Sequence, residues 1–191
     1  MRPSSVLVLP LALALLPHPA AAADDVTAVR TKVRAAMGAA KSFVADAKLT
    51  SGYALQTTFV APDRFHSTVQ FNGRSTEVYL IGSQGYIGAP DGSFRAVTAP
   101  PDFVATQRQL VDVPVDAVLA DQTAGGVTYG RFTSTSAGPQ HDQRVTCSYD
   151  KKTYRLAHCE NASFSVGFSH YDDPANVVVA PAVAPAPAAT P

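Results

Sequence analysis

The residues able to do acid–base, nucleophilic or metal chemistry are few and scattered. Downstream of residue 23 the histidines are His66, His141, His158 and His170, spread without ligand spacing. His170, Asp172 and Asp173 form the one local imidazole and carboxylate cluster, which would suit general acid–base work. It stands just before Pro174, where Asp serves turn formation, and that simpler role is the expected one. Gly82-Ser83-Gln84-Gly85 is too short for a nucleophile elbow and reads as a hairpin turn. Neither a phosphate loop nor a dinucleotide fingerprint is present. Cys147 and Cys159 stand twelve apart with only His158 nearby, too few ligands for a closed tetrahedral zinc. No metal, cofactor or catalytic residue is therefore expected, and the chain is not read as an enzyme.

Composition narrows the choice further. Charged residues make up 16% of the 191, and 15 Lys and Arg balance 15 Asp and Glu. A nucleic-acid partner is not expected, because phosphate neutralisation needs a basic surface. Hydrophobic residues make up 46%, ample for a core.

The start of the chain has the pattern of an export signal: Arg2, the apolar run Val6–Leu16, then Ala20-Ala21-Ala22-Ala23 before Asp24. Residues 1–23 are read as a cleavable signal peptide, too short and too broken by Pro10 and Pro17 to span a bilayer. The mature chain is expected to be soluble, without a transmembrane segment, and periplasmic or secreted. Its two cysteines are then expected to form one disulfide. Asn161-Ala162-Ser163 matches a glycosylation triplet, a pattern short enough to arise by chance.

Residues 24–48 read as an amphipathic helix, with Val26, Val29, Val33, Met37, Ala40 and Val44 as its stripe. From Gly52 the period becomes two. Strands are expected at 52–60, 64–71, 74–81, 85–89 and 93–97, with Asn72-Gly73 as the strongest hairpin signal. A two-residue turn there pairs Phe71 with Arg74, Val69 with Thr76 and Phe65 with Leu80. Phe65, Val69, Phe71, Val78 and Leu80 then share one face, opposite His66, Thr68, Gln70, Ser75 and Glu77. Turns at Ser83-Gln84 and Asp91-Gly92 set Leu80 opposite Ile87 and Ala89 opposite Phe94. A three-residue Ala61-Pro62-Asp63 loop adds Tyr53, Leu55 and Phe59 to that face.

Helical spacing returns over 102–121, as two short helices joined at Pro114 that present Leu110, Val111, Val118 and Leu119. Strands follow at 126–134, 143–150, 154–160 and 162–171. A two-residue Lys151-Lys152 turn would point Cys147 and Cys159 to opposite faces. The disulfide therefore requires a bulge or longer loop, or else Cys159 turning away at the strand end, and the first is favoured. Residues 24–180 form one domain, and 181–191 an Ala/Pro-rich disordered tail.

Several short segments, taken in order, resemble the LolA-like superfamily of periplasmic lipoprotein and lipid carriers. They are Ala61-Pro62-Asp63-Arg64-Phe65-His66, Glu77-Val78-Tyr79-Leu80-Ile81-Gly82, Tyr86-Ile87, Asp91-Gly92-Ser93-Phe94, Tyr149-Asp150-Lys151-Lys152-Thr153 and Phe168-Ser169-His170-Tyr171-Asp172. Phe94 stands where many members carry Trp, and the chain has no Trp at all. The resemblance implies an α+β fold: an antiparallel sheet curved into an unclosed half-barrel, with the N-terminal helix and the helical insert capping its concave side. Its cavity would be lined by Tyr53, Leu55, Phe59, Phe65, Val69, Phe71, Val78, Leu80, Ile87, Phe94, Leu110, Val111, Val118 and Leu119. The ligand would be a lipid or the acyl chain of a lipoprotein, with a membrane-bound donor or acceptor protein as a further partner. The alternatives on the same scaffold are an envelope sensor that contacts a protein, or a hydrolase of an envelope component. On the carrier reading, Leu80→Asp or Phe65→Asp is expected to abolish lipid retention while leaving folded protein.

Overall fold

The computed structural model describes residues 25–101, 104, 111–135 and 144–183, so residues 1–24, which include the stretch read as a signal peptide, and the last eight lie outside it. Asp25 caps the first helix, α1 (Val26–Ala39), its carboxylate accepting the Thr27 N–H at 2.9 Å. Val29, Val33 and Met37, spaced by four, form its buried stripe.

The helix is shorter than expected. Residues 42–49 are a strand, β1 (Ser42–Leu49), paired on one side with β2 (Ala54–Val60) and on the other with β11 (Phe164–Ser169). Val44 falls on the helical stripe by coincidence of spacing. The controlling pattern is the alternation that buries Phe43 and Ala45, and central placement in a sheet overrides the helix preference of the alanines.

The chain meanders from β2 through β3 (Arg64–Phe71), β4 (Arg74–Ile81), β5 (Gln84–Gly88) and β6 (Phe94–Thr98). The β3–β4 register is the expected one, with Phe71 opposite Arg74, Val69 opposite Thr76 and Phe65 opposite Leu80. The three-residue loop before Arg64 is also present, with Val60 opposite Arg64 and a cis Ala61–Pro62 bond.

Two later registers differ from expectation. The next turn is Gly82-Ser83, with Gly82 at φ +63°, so Leu80 faces Gly85 and Val78 faces Ile87. A slip of two residues keeps every side chain on its face. At the following hairpin Gly88, not Ala89, lies opposite Phe94, because the Pro90-Asp91-Gly92 loop is one residue longer. A slip of one reverses the strand, and Phe94 goes to the outer face.

The insert also differs. Val104 is helical, its N–H reaching the Pro100 carbonyl at 3.2 Å, while Leu110 lies outside the described residues. After Pro114 the expected second helix is instead an edge strand, β7 (Ala117–Ala124), paired with β8 (Val127–Thr135). Pairing with β8 satisfies its backbone on one side, which the three- and four-residue spacing of Val115, Val118 and Leu119 did not anticipate. The segment leading into it is tied to α1. Arg34 forks onto Asp112 at 2.6 and 2.7 Å, and Arg30 donates to the Val115 carbonyl.

β9 (Arg144–Asp150), β10 (Leu156–Glu160) and β11 complete the chain of hairpins. Cys147 and Cys159 are direct partners across β9 and β10 and are disulfide-bonded. The loop is longer than two residues, Lys151–Tyr154 gathered on the Asp150 carboxylate, but this keeps the parity, and it is the one-residue register shift between Leu156 and His158 that brings the cysteines to one face. Closing a loop of this size is worth about 3 kcal/mol in the chain-entropy account.

The eleven strands of the described residues form one antiparallel sheet in the order β6-β5-β4-β3-β2-β1-β11-β10-β9-β8-β7. The first and last strands meet at its centre, and β6 and β7 are left as separate edges, so the sheet is an unclosed half-barrel. One face, with α1 on it, holds a single core that includes Phe43, Phe59, Phe65, Leu80, Phe132, Tyr149 and Leu156. Beyond β11, Val178 is buried and its carbonyl accepts from Arg64 at 3.3 Å, while Val183 makes a bridge to Phe94. Contact with the sheet thus continues three residues into the stretch read as tail.

Candidate functional site

Ladder pairing puts the inner-face residues in rows across the strands. The innermost row on the β1–β5 side is Phe43, Phe59, Phe65, Leu80 and Gly85. Phe59, Phe65 and Leu80 are only 2 to 3% exposed, and the Phe43 ring packs tilted against Phe59, which packs tilted against Phe65. These are core residues. The next row carries Thr57 and Ser67, whose hydroxyls bond each other at 2.8 Å, and then Val78 and Ile87. Leu55 and Val69 follow, and Tyr53 and Phe71 stand at the rim.

Burial falls along that sequence of rows. Leu55, Val69, Phe71, Val78 and Ile87 are half-buried, while Tyr53 and Leu49 are each 38% exposed. Tyr53 stacks flat on Phe71, ring centroids 4.0 Å apart. The inner face therefore passes from a sealed core, continuous with the buried stripe of α1, to an apolar stripe open to solvent at the hairpin tips.

Not every residue expected to line this face does so. Phe94 is on the outer face, edge-on to Tyr79. Val118 lies opposite the buried Phe132 and faces inward, so its neighbour Leu119, opposite Arg131, faces outward. Successive residues of a strand cannot share a face, whereas on the expected helix they would have been close. Val111 packs on the core. Sequence reasoning missed Phe43, Phe132, Tyr149, Tyr154 and Tyr171, which build the core's other half. Alternation within β1, β8 and β9 was the signal for Phe43, Phe132 and Tyr149, whereas Tyr154 and Tyr171 lie in loops, Tyr171 held by donating to the Leu156 carbonyl at 2.9 Å.

The histidines serve the outer surface. His66 stacks on Tyr79 at 4.2 Å, and both reach the same Glu77 oxygen, at 3.3 and 3.1 Å. Burial pushes the Tyr79 phenol up, and the bond to Glu77 adds to it. His158 meets Glu160 at 3.3 Å, and His141 lies outside the described residues. Among the described residues no cluster of His, Cys, Asp and Glu could hold a metal.

The His170, Asp172 and Asp173 cluster is a structural clasp. Asp172 accepts the Lys41 N–H at 2.7 Å and pairs with Arg155, tying the end of β11 to the start of β1. The Lys41 N–H and then Arg155 hold its carboxyl below the usual carboxylate range. A depressed folded-state value means that the stabilisation is full above the unfolded carboxylate pKa of about 3.9 and is lost as pH falls through the folded value. Asp172→Asn should therefore lower Tm at neutral pH, with the gap to wild type closing below about pH 4. Thermal melts across pH check this; a gap independent of pH would exclude the ionic clasp.

Two recesses open at the rim rather than over the core. One, of about 810 Å³, lies between the start of β4 and the β5–β6 loop, lined by Arg74, Thr76, Glu77, Gly88, Pro90 and Phe94 among others. A second, of about 390 Å³, lies at the hairpin tips and includes Phe71, Asn72 and Arg74.

No protein-family model and no curated protein matches the sequence. Solved structures do match by shape. The lipoprotein LppX of Mycobacterium tuberculosis superposes with a TM-score of 0.55 at 13% identity, over 78% of this chain and 97% of LppX. LprF of Mycobacterium bovis superposes with a TM-score of 0.51 at 12% identity, over 78% of this chain and 93% of its own. At such identity the likeness is one of architecture: the chain shares the fold of LppX and LprF.

Proposed function

We propose that this protein is a non-enzymatic, exported binding protein or carrier for a lipid or for the acyl chain of a lipoprotein. The observation that carries this reading is the half-buried stripe of Leu55, Val69, Phe71, Val78 and Ile87, contiguous with the core yet open at the rim. A soluble domain gains by covering such a stripe, and each CH₂ of a chain buried there contributes about 0.8 kcal/mol. The resemblance to LolA-like carriers and the shared fold support the same reading, and the signal-like start supports a periplasmic location.

The test is to purify the mature protein from the periplasm without detergent and analyse an organic extract by mass spectrometry. A lipid or acyl species near one per protein is expected. A clean extract would overturn the carrier reading and favour a protein-contacting module on the same scaffold.

A further inference from the structure

We propose that Arg74 is the headgroup contact of this site: its guanidinium holds the phosphate or carboxylate of an amphiphile whose alkyl chain lies along the inner stripe. The inference rests on the binding role proposed above and adds a charge class to the ligand.

Arg74 follows the Asn72-Gly73 turn and opens β4, directly opposite Phe71. Phe71 is stacked by Tyr53, and the inner face then runs on through Val69 to Val78. The charge thus sits at the solvent end of an apolar track, about 14 Å from Val78 at the usual rise per strand residue. That is the layout of an amphiphile.

The space beside Arg74 is unoccupied by any described strand. β5 pairs with β4 only over Val78–Ile81, leaving Arg74–Thr76 unpaired on that side. The larger recess fills this gap, the smaller one lies across the hairpin tip, and Arg74 lines both. Arg74 is exposed and has no hydrogen bond or ion pair to any described residue. The acids that could neutralise it are engaged elsewhere. Glu77 is held by His66 and Tyr79 on the outer face, and Asp91 accepts the Ser93 N–H and hydroxyl at 2.9 and 2.7 Å. A free guanidinium fork beside open volume suits a carboxylate or phosphate, which it binds with two parallel hydrogen bonds.

Dodecyl phosphate, dodecanol and inorganic phosphate, titrated separately into delipidated protein, distinguish the sources of the charge. The wild type should bind dodecyl phosphate about tenfold more tightly than dodecanol, the ratio expected for one charge-assisted contact. Arg74→Gln should erase that preference and leave dodecanol binding unchanged, while Arg74→Lys should keep part of it. Arg144→Gln removes a charge of the same sign from the outer face of β9, on the far half of the sheet and outside both recesses, and should keep the preference in full. A preference surviving in Arg74→Gln, or falling equally in Arg144→Gln, would overturn the assignment. So would inorganic phosphate binding as tightly as dodecyl phosphate. Equal binding of the two dodecyl probes to the wild type refutes the headgroup contact alone, whereas binding of neither refutes the carrier role and the contact together.

Discussion

Leu80→Asp should give no folded protein, whereas Val78→Asp, two residues away on the same strand and face, should give folded protein without cargo. Leu80 is 2% exposed, between its partners Phe65 and Gly85 within the single core. A carboxylate placed there must stay charged in an apolar setting or be protonated at a cost, and either route costs several kcal/mol before the lost leucine contacts are counted. Against a total of about 5–15 kcal/mol for a domain, that exhausts most of the stability. Val78 is half-buried between Ser67 and Ile87, close enough to solvent for a carboxylate to stay hydrated. The charge then disrupts the alkyl track without disrupting the fold. Periplasmic yield and circular dichroism report folding, and the organic extract reports cargo. The expectation from sequence that Leu80→Asp and Phe65→Asp would stay folded is corrected by their burial. Val78→Asp that folds and keeps its lipid would falsify the stripe as the binding surface.

This distinction marks where the sequence was legible. Hairpin arithmetic depends only on parity, so Asn72-Gly73 sufficed to place Phe65, Val69, Phe71, Val78 and Leu80 on one face. The misplaced turn at Gly82-Ser83 did no harm, because its error was an even number of residues. The β5–β6 loop was wrong by one, and Phe94 changed sides. Which residues of a correct face are sealed and which stay open depends on where α1 lies, and local pattern carries no information about that. The same limit explains residues 42–49 and 117–124. Their strand state comes from partners outside each segment, β11 far along the chain for the first and β8 across the Gly125-Gly126 turn for the second, while their own spacing mimics a helix. The disulfide was legible from two cysteines behind an export signal, and the parity obstacle that it raised is removed by the one-residue register shift, since the longer loop alone leaves parity unchanged.

Gly130→Ala should be among the most damaging single-methyl additions in the chain, although Gly130 sits in ordinary strand backbone without a positive φ. Its partner across the β8–β9 ladder is Tyr149, fully buried, whose ring lies across the glycine. A Cβ at residue 130 would fall among the ring atoms, 2.6 Å from Cε1 and closer still to Cζ and the hydroxyl. The ring has little room to yield. It stacks on Tyr154 at 5.4 Å and packs against Phe132 at 6.1 Å. Tyr154 in turn accepts a hydrogen bond from Lys32 of α1 at 3.0 Å, so moving the ring disturbs the seat of the helix. Forced overpacking of this kind costs about 3 kcal/mol or more. Denaturant melts should show that loss for Gly130→Ala. Gly167→Ala, where a Cβ meets nothing within 4 Å, should stay within about 1 kcal/mol of wild type. Tyr149→Ala is itself destabilising, but in that background Gly130→Ala should cost almost nothing further, because the clash has been removed. Full additivity of the two changes would mean that the ring does not occupy the space above Gly130.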